Sequence, residues 1–242
     1  MSTLLIRMKS DWYGAISAVS FTDSYIDKVN RIYDYVVSKG HATIQSIDIQ
    51  NHICGVDGPG KSDIRSSSSL LKKLGFVRKI EDSFDASTMF TASGHVFVLM
   101  LKSRLREASE AIREKINRIL ERLICLGISY AISNGEEGSD NMKTLLLLFK
   151  RFESITWDEY LYSLYLIHFE HLTHSEVYIR IEENRRNGVD YSIVKDSDPS
   201  KRVDGTSYLY NQNLLLQSGT ISKISPKEAK LRNRTLLTIA NI

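Results

Sequence analysis

The sequence predicts a mainly α protein with small β elements, and three observations carry that expectation. Only three prolines interrupt 242 residues, so long helices are allowed over most of the chain. Apolar residues recur at helical spacing in both halves, as in Tyr25, Val29, Ile32, Tyr33 and Val36, and glycines stand where such runs end. With 42% hydrophobic and 25% charged residues, the chain can build one large core or two modest ones, which excludes a disordered or fibrous protein.

The elements follow in order. Ser24–Lys39 reads as an amphipathic helix closed by Gly40, and Ile44–Ile53 as a shorter one. Gly55-Val56-Asp57-Gly58-Pro59-Gly60 must be a loop, because three glycines and a proline cannot continue a helix. Ser62–Leu74 is a third helix, after which Phe76–Ile80 and Thr88–Val98 read as two strands around the polar stretch Glu81–Ser87. Leu99–Leu126 reads as a long charged helix that braces this unit. Three helices running into a two-stranded wing give the plan of a winged helix-turn-helix.

The polar, glycine-bearing break Ser133–Asp140 separates a first domain, 1–132, from a second, 141–242. The second opens on a helix over Met142–Phe152. Thr156 with Glu159, and Thr173 with Glu176, are three apart and predict two capped helix starts, the first stapled by Ile155 and the second closed by Asn187-Gly188. Lys195–Gly205 reads as a loop, Thr206–Gln217 as a helix and Gly219–Ile224 as a strand, so a second winged helix is expected here. Ser225-Pro226-Lys227-Glu228 carries the signature of a helix start and opens a basic terminal helix that stops at Ile242, as if the parent protein were longer. The fold expected is therefore mainly α with small β wings, in two winged helix-turn-helix-like subdomains.

The charge pattern narrows the chemistry. A net charge of +3 is too small to name a partner, but Lys61, Arg65, Lys72, Lys73, Arg78 and Lys79 face only Asp63 between positions 61 and 79. Arg65, Ser69, Lys72 and Lys73 share one helical face opposite Ile64, Leu71 and Leu74. Such a face suits recognition of double-stranded DNA: Arg binds guanine bidentately, Ser contacts bases or phosphates, and Lys neutralises the backbone. Lys61, Ser62, Asp63, Arg65, Ser66, Ser69, Lys72 and Lys73 are the candidate DNA-binding residues of the first domain. In the second, Lys201, Arg202, Thr206, Ser207, Tyr210, Asn211, Asn213 and Lys223 are candidates, followed by the cluster Lys223, Lys227, Lys230, Arg232 and Arg234.

Other chemistries find less support. Cys54 and Cys125 lie apart in apolar surroundings, as reduced thiols of a cytosolic protein do. The N-terminus has no signal-peptide core, and an apolar run such as Leu145–Phe149 is far too short to span a bilayer. His168, His171 and His174 bridge a helix end and a cap, so they need not converge on a metal. Asp204, Glu228 and Lys230 spell the acidic and Glu-x-Lys elements of a Mg2+-dependent nuclease, but Glu228 is already accounted for as a capping residue. Phosphate-loop, zinc-protease and hydrolase-elbow motifs are absent from the sequence.

The run Ser62-Asp63-Ile64-Arg65, then Leu70-Leu71-Lys72-Lys73-Leu74-Gly75-Phe76-Val77, then Phe90-Thr91-Ala92-Ser93-Gly94 resembles the recognition part of type IIS restriction and nicking endonucleases of the AlwI/MlyI/BstNBI group. Leu145–Lys150 leading into Ile155-Thr156-Trp157-Asp158-Glu159, and Tyr208-Leu209-Tyr210 through Leu216 to Ser218-Gly219-Thr220, extend the likeness from about Gly40 to Ile242. The resemblance implies a bacterial, cytoplasmic restriction-modification protein whose winged helices read an asymmetric DNA site. It also implies a C-terminal Mg2+-dependent nuclease domain or a separate nuclease subunit, outside these residues, so that the chain itself carries no catalytic residue and no cofactor. Asp63 and Arg65 match the Asp-x-Arg of the recognition helix, while Leu74, Gly75, Thr91 and Gly94 match its framework. The serine run Ser66–Ser69 and the second wing depart from the pattern. Two other readings remain: a self-contained small nuclease built on Asp204, Glu228 and Lys230, and a winged-helix module for protein interaction or transcriptional regulation.

Overall fold

The structure is a computed structural model that describes residues 3–9, 14–16, 22–55, 60–78, 83–203 and 206–242, without the side chains at 23, 61–63, 206 and 207. It is mostly helical with small sheets, and it divides into Met1–Ser17 with Gly135–Ile242, and Ala18–Asn134. The division falls at the polar break, but the N-terminus leaves the domain assigned to it. β1 (Thr3–Met8) pairs in parallel with a strand at Asp190–Lys195, burying Ile6 and Met8, a pairing across nearly the whole sequence that no local pattern announces.

The unit Ala18–Asn134 starts with α1 (Asp23–Ser38), whose Thr22 hydroxyl caps Tyr25 N–H at 3.2 Å. It buries Val29, Ile32 and Val36, the stripe that the spacing specifies. A short strand, β2 (Thr43–Gln45), precedes α2 (Ser46–Cys54) and α3 (Lys61–Lys73). β2 pairs antiparallel with β3 (Ser83–Asp85), Ile44 opposite Phe84. Val77 forms an isolated bridge to Phe90, and Arg78 N–H donates to Met89 C=O at 2.9 Å.

The expected strand Thr88–Val98 does not form. α4 (Ala92–Arg106) occupies most of it, capped by Thr91, whose hydroxyl accepts from Gly94 N–H at 3.1 Å. Phe97, Val98 and Leu101 are buried in the core, so the β-branched and aromatic residues that suggest a strand serve a helix face instead. The long helix expected over Leu99–Leu126 is likewise two helices. α4 ends at Arg106 with Glu107 as its C-cap, and α5 (Glu110–Ser133) follows.

The second unit carries α6 (Ser139–Phe152), β4 (Ser154–Thr156), α7 (Trp157–His168) and α8 (His174–Asn187). Both expected capping boxes form, at Thr156/Glu159 and at Thr173/Glu176, and Gly188 closes α8 at φ 59°. β5 (Asp190–Lys195) and β6 (Asp198–Arg202) then make a hairpin where a loop was expected. α9 (Thr206–Gln217) follows, then β7 (Ile221–Ser225), β8 (Glu228–Leu231) and the short α10 (Thr235–Ile239).

Ser225-Pro226-Lys227-Glu228 is therefore a hairpin turn and not a helix start. The Ser225 hydroxyl accepts from Lys227 N–H at 3.2 Å, and β8 sits between β4 and β7 in the order β4-β8-β7. Strand partners on both sides satisfy backbone groups that a helix opened by Pro226 would have had to satisfy itself. The same Ser-Pro signature serves turns and helix starts, and pairing with β4, some seventy positions earlier, decides between them.

Glu159 is 5% exposed and accepts from the Thr156 backbone at 2.9 Å and from Arg185 at 2.5 Å (Nε) and 2.9 Å (Nη2). The guanidinium also donates to Ser154 C=O at 2.9 Å, tying α8 to β4 and α7. Truncation of Arg185 leaves a buried carboxylate short of partners. Arg185→Ala should cost about 2 kcal/mol, below the cost of breaking a fully buried pair because the arginine is partly solvated, read as a lower urea midpoint at unchanged slope. On the same face Thr144 and His174 Nε2 lie 3.3 Å apart. Burial, reinforced by Lys143, holds His174 below the usual histidine value. The neutral form is favoured in the folded state, so this stability is complete above the unfolded value near pH ~6.5 and is lost as pH falls through the folded one. In thermal melts, His174→Gln should flatten the acid side of the stability profile.

Candidate nucleic-acid interface

α3 is placed by what precedes and follows it. Its buried face, Ile64, Ser67, Leu70 and Leu71, packs on α1, α2 and α5; the small Ser67 in the middle lets the helix approach closely. The helix ends in a Schellman motif: Gly75, at φ 70°, donates to Lys72 C=O at 2.9 Å, and Phe76 N–H donates to Leu71 C=O at 2.9 Å. Thr91 fastens the next helix to the same corner, donating through Oγ1 to Gly75 C=O at 2.9 Å. A Cβ on Gly94 would stand 1.9 Å from the Phe76 carbonyl oxygen. Leu74-Gly75 and Thr91-x-x-Gly94 are thus two halves of one junction that fixes where α3 ends.

The outward side of α3 presents Arg65 and Ser69 exposed, with Ser66, Lys72 and Lys73 half-buried. Arg65, Ser68, Ser69 and Lys72 border a shallow cleft whose other wall is Ser46, Ile49 and Gln50 of α2, with Met89 at its edge. Arg65 Nε donates to Gln50 Oε1 at 3.4 Å, which ties the guanidinium to α2. The side chains of Lys61, Ser62 and Asp63, and the whole of Lys79, lie outside the described residues. Gln50 and Ser46 were missed at the sequence level. Nothing in the α3 pattern points fifteen positions back to α2, and only the packing of the two helices brings them together.

The second unit disperses its candidates. Lys201 and Arg202 are exposed on β6, where Lys201 pairs with Asp198 at 2.8 Å and Arg202 donates to Tyr191 C=O at 3.2 Å. Asn211, expected to read base edges, is fully buried: its Oδ1 accepts from Ile16 N–H at 3.3 Å and its Nδ2 donates to the Tyr160 hydroxyl at 3.3 Å. It holds the N-terminal segment to the core. Tyr210 and Asn213 are half-buried on the other side of α9; the side chains of Thr206 and Ser207, and Asp204 altogether, lie outside the described residues.

Lys223, Lys227, Lys230 and Arg232 are exposed around the β7–β8 hairpin, with the Lys227 ammonium over the Trp157 ring at 5.8 Å. Arg234 reaches Glu153 at 3.8 Å. Glu228 and Lys230 share one face of β8, a strand context that the sequence reading had denied them. Among the described residues no three His, Cys, Asp or Glu side chains converge as a metal site. His168 and His174 are turned to Asn141 (3.3 Å) and Thr144. No helix among the described residues is long and apolar enough to cross a membrane.

No protein-family model matches the chain, nor does any curated protein or solved structure.

The junction at Gly94 is open to a direct check. Gly94→Ala forces α4 away from the 76–77 backbone and should destabilise by about 3 kcal/mol or more, whereas the exposed neighbour Ser93→Ala should stay within roughly 1 kcal/mol. Urea unfolding of both variants separates backbone contact from generic helix propensity.

Proposed function

We propose that the chain is the recognition region of a type IIS-like restriction or nicking endonuclease, which binds double-stranded DNA and leaves cleavage to a Mg2+-dependent nuclease domain or subunit outside these residues. The observation that carries the reading is the outward edge of α3, where Arg65, Ser69 and Lys72 line up along the cleft shared with α2. A guanidinium, a hydroxyl and an ammonium in one helical row suit base edges and phosphates in a major groove.

The element order supports a winged-helix reading of both units. α1-β2-α2-α3 is followed by Val77 bridged to Phe90 around β3, and α6-β4-α7-α9 by the paired β7 and β8, so each runs helix, strand, two helices and then the short β elements from which a wing would be built. In each, the strand after the first helix pairs with the last strand, β2 with β3 and β4 with β8. The α8-β5-β6 segment is inserted in the second unit before its third helix. α9 exposes Leu209 beside Tyr210 and Asn213 and carries no cation, so this unit contributes through its basic hairpin to phosphates rather than through a base-reading helix.

A second reading rests on the strand placement of Glu228 and Lys230. A Mg2+-dependent nuclease carries such a pair on a strand, and cleavage of supercoiled plasmid by the purified chain, abolished by Glu228→Gln, would favour it over the recognition-only reading.

Selection of duplexes from a randomised pool, followed by anisotropy titration, tests the primary reading. One asymmetric site should bind roughly 10³-fold tighter than scrambled DNA. Arg65→Ala should lower that ratio by about 10- to 100-fold and relax one position of the site, and Gln50→Ala should do so more weakly, because it frees the guanidinium without removing it. Lys72→Ala should weaken both duplexes alike and reduce the salt slope by about one. Equal binding of all duplexes by wild type, or an unchanged ratio in Arg65→Ala, removes α3 as the reader.

A further inference from the structure

We propose that the cleft between β1 and the end of α7 binds a nucleotide, an aromatic base carrying one phosphate, either free or as part of single-stranded DNA. The inference does not rest on duplex recognition by α3. The cleft holds about 300 Å³ and is lined by Leu5, Arg7, Lys9, Tyr165, Phe169 and Asp196, all within the unit that joins the N-terminal segment to Gly135–Ile242. Its volume stands at the lower end of the range of small-molecule sites.

The contribution of α7 is aromatic. Tyr165 lies in the last turn of the helix and Phe169 is its C-cap, whose N–H donates to Tyr165 C=O at 2.8 Å. A separation of four positions puts the two side chains on one side of the helix, and their rings stack with centroids 5.1 Å apart and planes 20° from parallel. Phe169 is nevertheless 57% exposed, and Leu5 of β1 is 59% exposed.

The contribution of β1 is mostly charge. β1 is an edge strand of the sheet β1-β5-β6, and Leu5, Arg7 and Lys9 are alternate positions of its exposed row, while Ile6 and Met8 are buried. Asp196 is held at the end of that row, because its N–H donates to Met8 C=O at 2.9 Å. Cations on an edge strand also deter pairing with a further strand, but that gives no reason for a stacked aromatic pair to border the same cleft.

The combination selects the ligand. An apolar molecule would strip water from Arg7 and Lys9 without pairing them, and inorganic phosphate would leave the rings unused. A nucleotide engages both, since any base stacks on an aromatic side chain and Arg and Lys donate to phosphate oxygens. The Asp196 carboxylate accepts from an exocyclic base amine, and its negative charge beside two cations favours one phosphate over a chain of them.

Calorimetric titration of the full chain with AMP, adenosine and inorganic phosphate, together with anisotropy of a labelled single-stranded oligo-dA, tests the site. AMP should bind with Kd below about 1 mM, and adenosine and phosphate at least about tenfold more weakly, since each keeps one of the two kinds of contact. Phe169→Ala should weaken AMP about tenfold, whereas Phe169→Tyr, which keeps the ring, should not. Arg7→Gln should bring AMP down to the level of adenosine. Exposure of both positions predicts unchanged thermal unfolding in these variants. Arg65→Ala, which impairs duplex discrimination in the reading above, should leave AMP binding intact, so that the two readings fail independently. Binding of AMP assigns the site to a free nucleotide, and binding of oligo-dA alone, lost in Phe169→Ala, assigns it to a nucleotide within a strand. No binding at about 2 mM AMP or about 100 µM oligo-dA overturns the proposal, as does phosphate binding as tightly as AMP, binding that survives both Phe169→Ala and Arg7→Gln, or binding that is lost in Arg65→Ala.

Discussion

The approach of Gly94 to the Phe76 carbonyl is the constraint on which the first unit depends. Once the N-terminus of α4 must come this close to the 76–77 backbone, several other choices are fixed. Position 94 cannot carry a Cβ. Thr91 must cap α4 and reach back to Gly75, and α3 must stop at Leu74 in a left-handed turn at Gly75, over which the Tyr130 ring of α5 lies. Phe76 then stacks on Phe97 with ring centroids 4.4 Å apart. The position of α3, and with it the direction in which Arg65 and Lys72 project, follows from backbone packing at its C-terminal end rather than from the charged residues themselves.

The second unit is held differently, by buried polar contacts. Glu159 serves at once as capping residue and as acceptor for Arg185, so one carboxylate joins α7, α8 and β4. Asn211 plays the corresponding part on the other side, linking α9 to Tyr160 and to the N-terminal segment at Ile16, while Asn141 donates to Gly14 C=O at 3.1 Å. Buried amides and carboxylates with several partners each are expensive to disturb. This explains why segments as remote as residues 3–9 and 14–16 can be an integral part of the fold. It also explains why polar residues on α9 that suit base recognition are spent on structure instead.

The two units therefore divide the polar chemistry unequally. α3 keeps its arginine, serines and lysines on the outside because its inner face is filled by Ile64, Leu70 and Leu71 with only Ser67 between them. α9 turns Asn211 and Gln212 inward and leaves no cation outside, while the cations of its unit gather on the β7–β8 hairpin. The proposed reading uses this distribution, with α3 for base edges and the hairpin for phosphates.

What the sequence by itself determined is whatever is settled within one or two helical turns. α1, α3, α6, α7, α8 and α9 are legible from apolar spacing, from Thr156/Glu159 and Thr173/Glu176, and from Gly188, because caps and amphipathic stripes act over three to four residues. The basic row on α3 is legible for the same reason. Residues 88–98 and 225–231 were not. Their β-branched and Ser-Pro patterns are locally compatible with either state, and a distant partner decides: Phe76 for the first, β4 and β7 for the second. Gln50 beside Arg65, β1 beside β5 and the burial of Asn211 belong to the same class. Tertiary structure alone settled these points, because hydrogen bonds and packing between residues far apart in sequence outweigh propensities worth less than about 1 kcal/mol per residue.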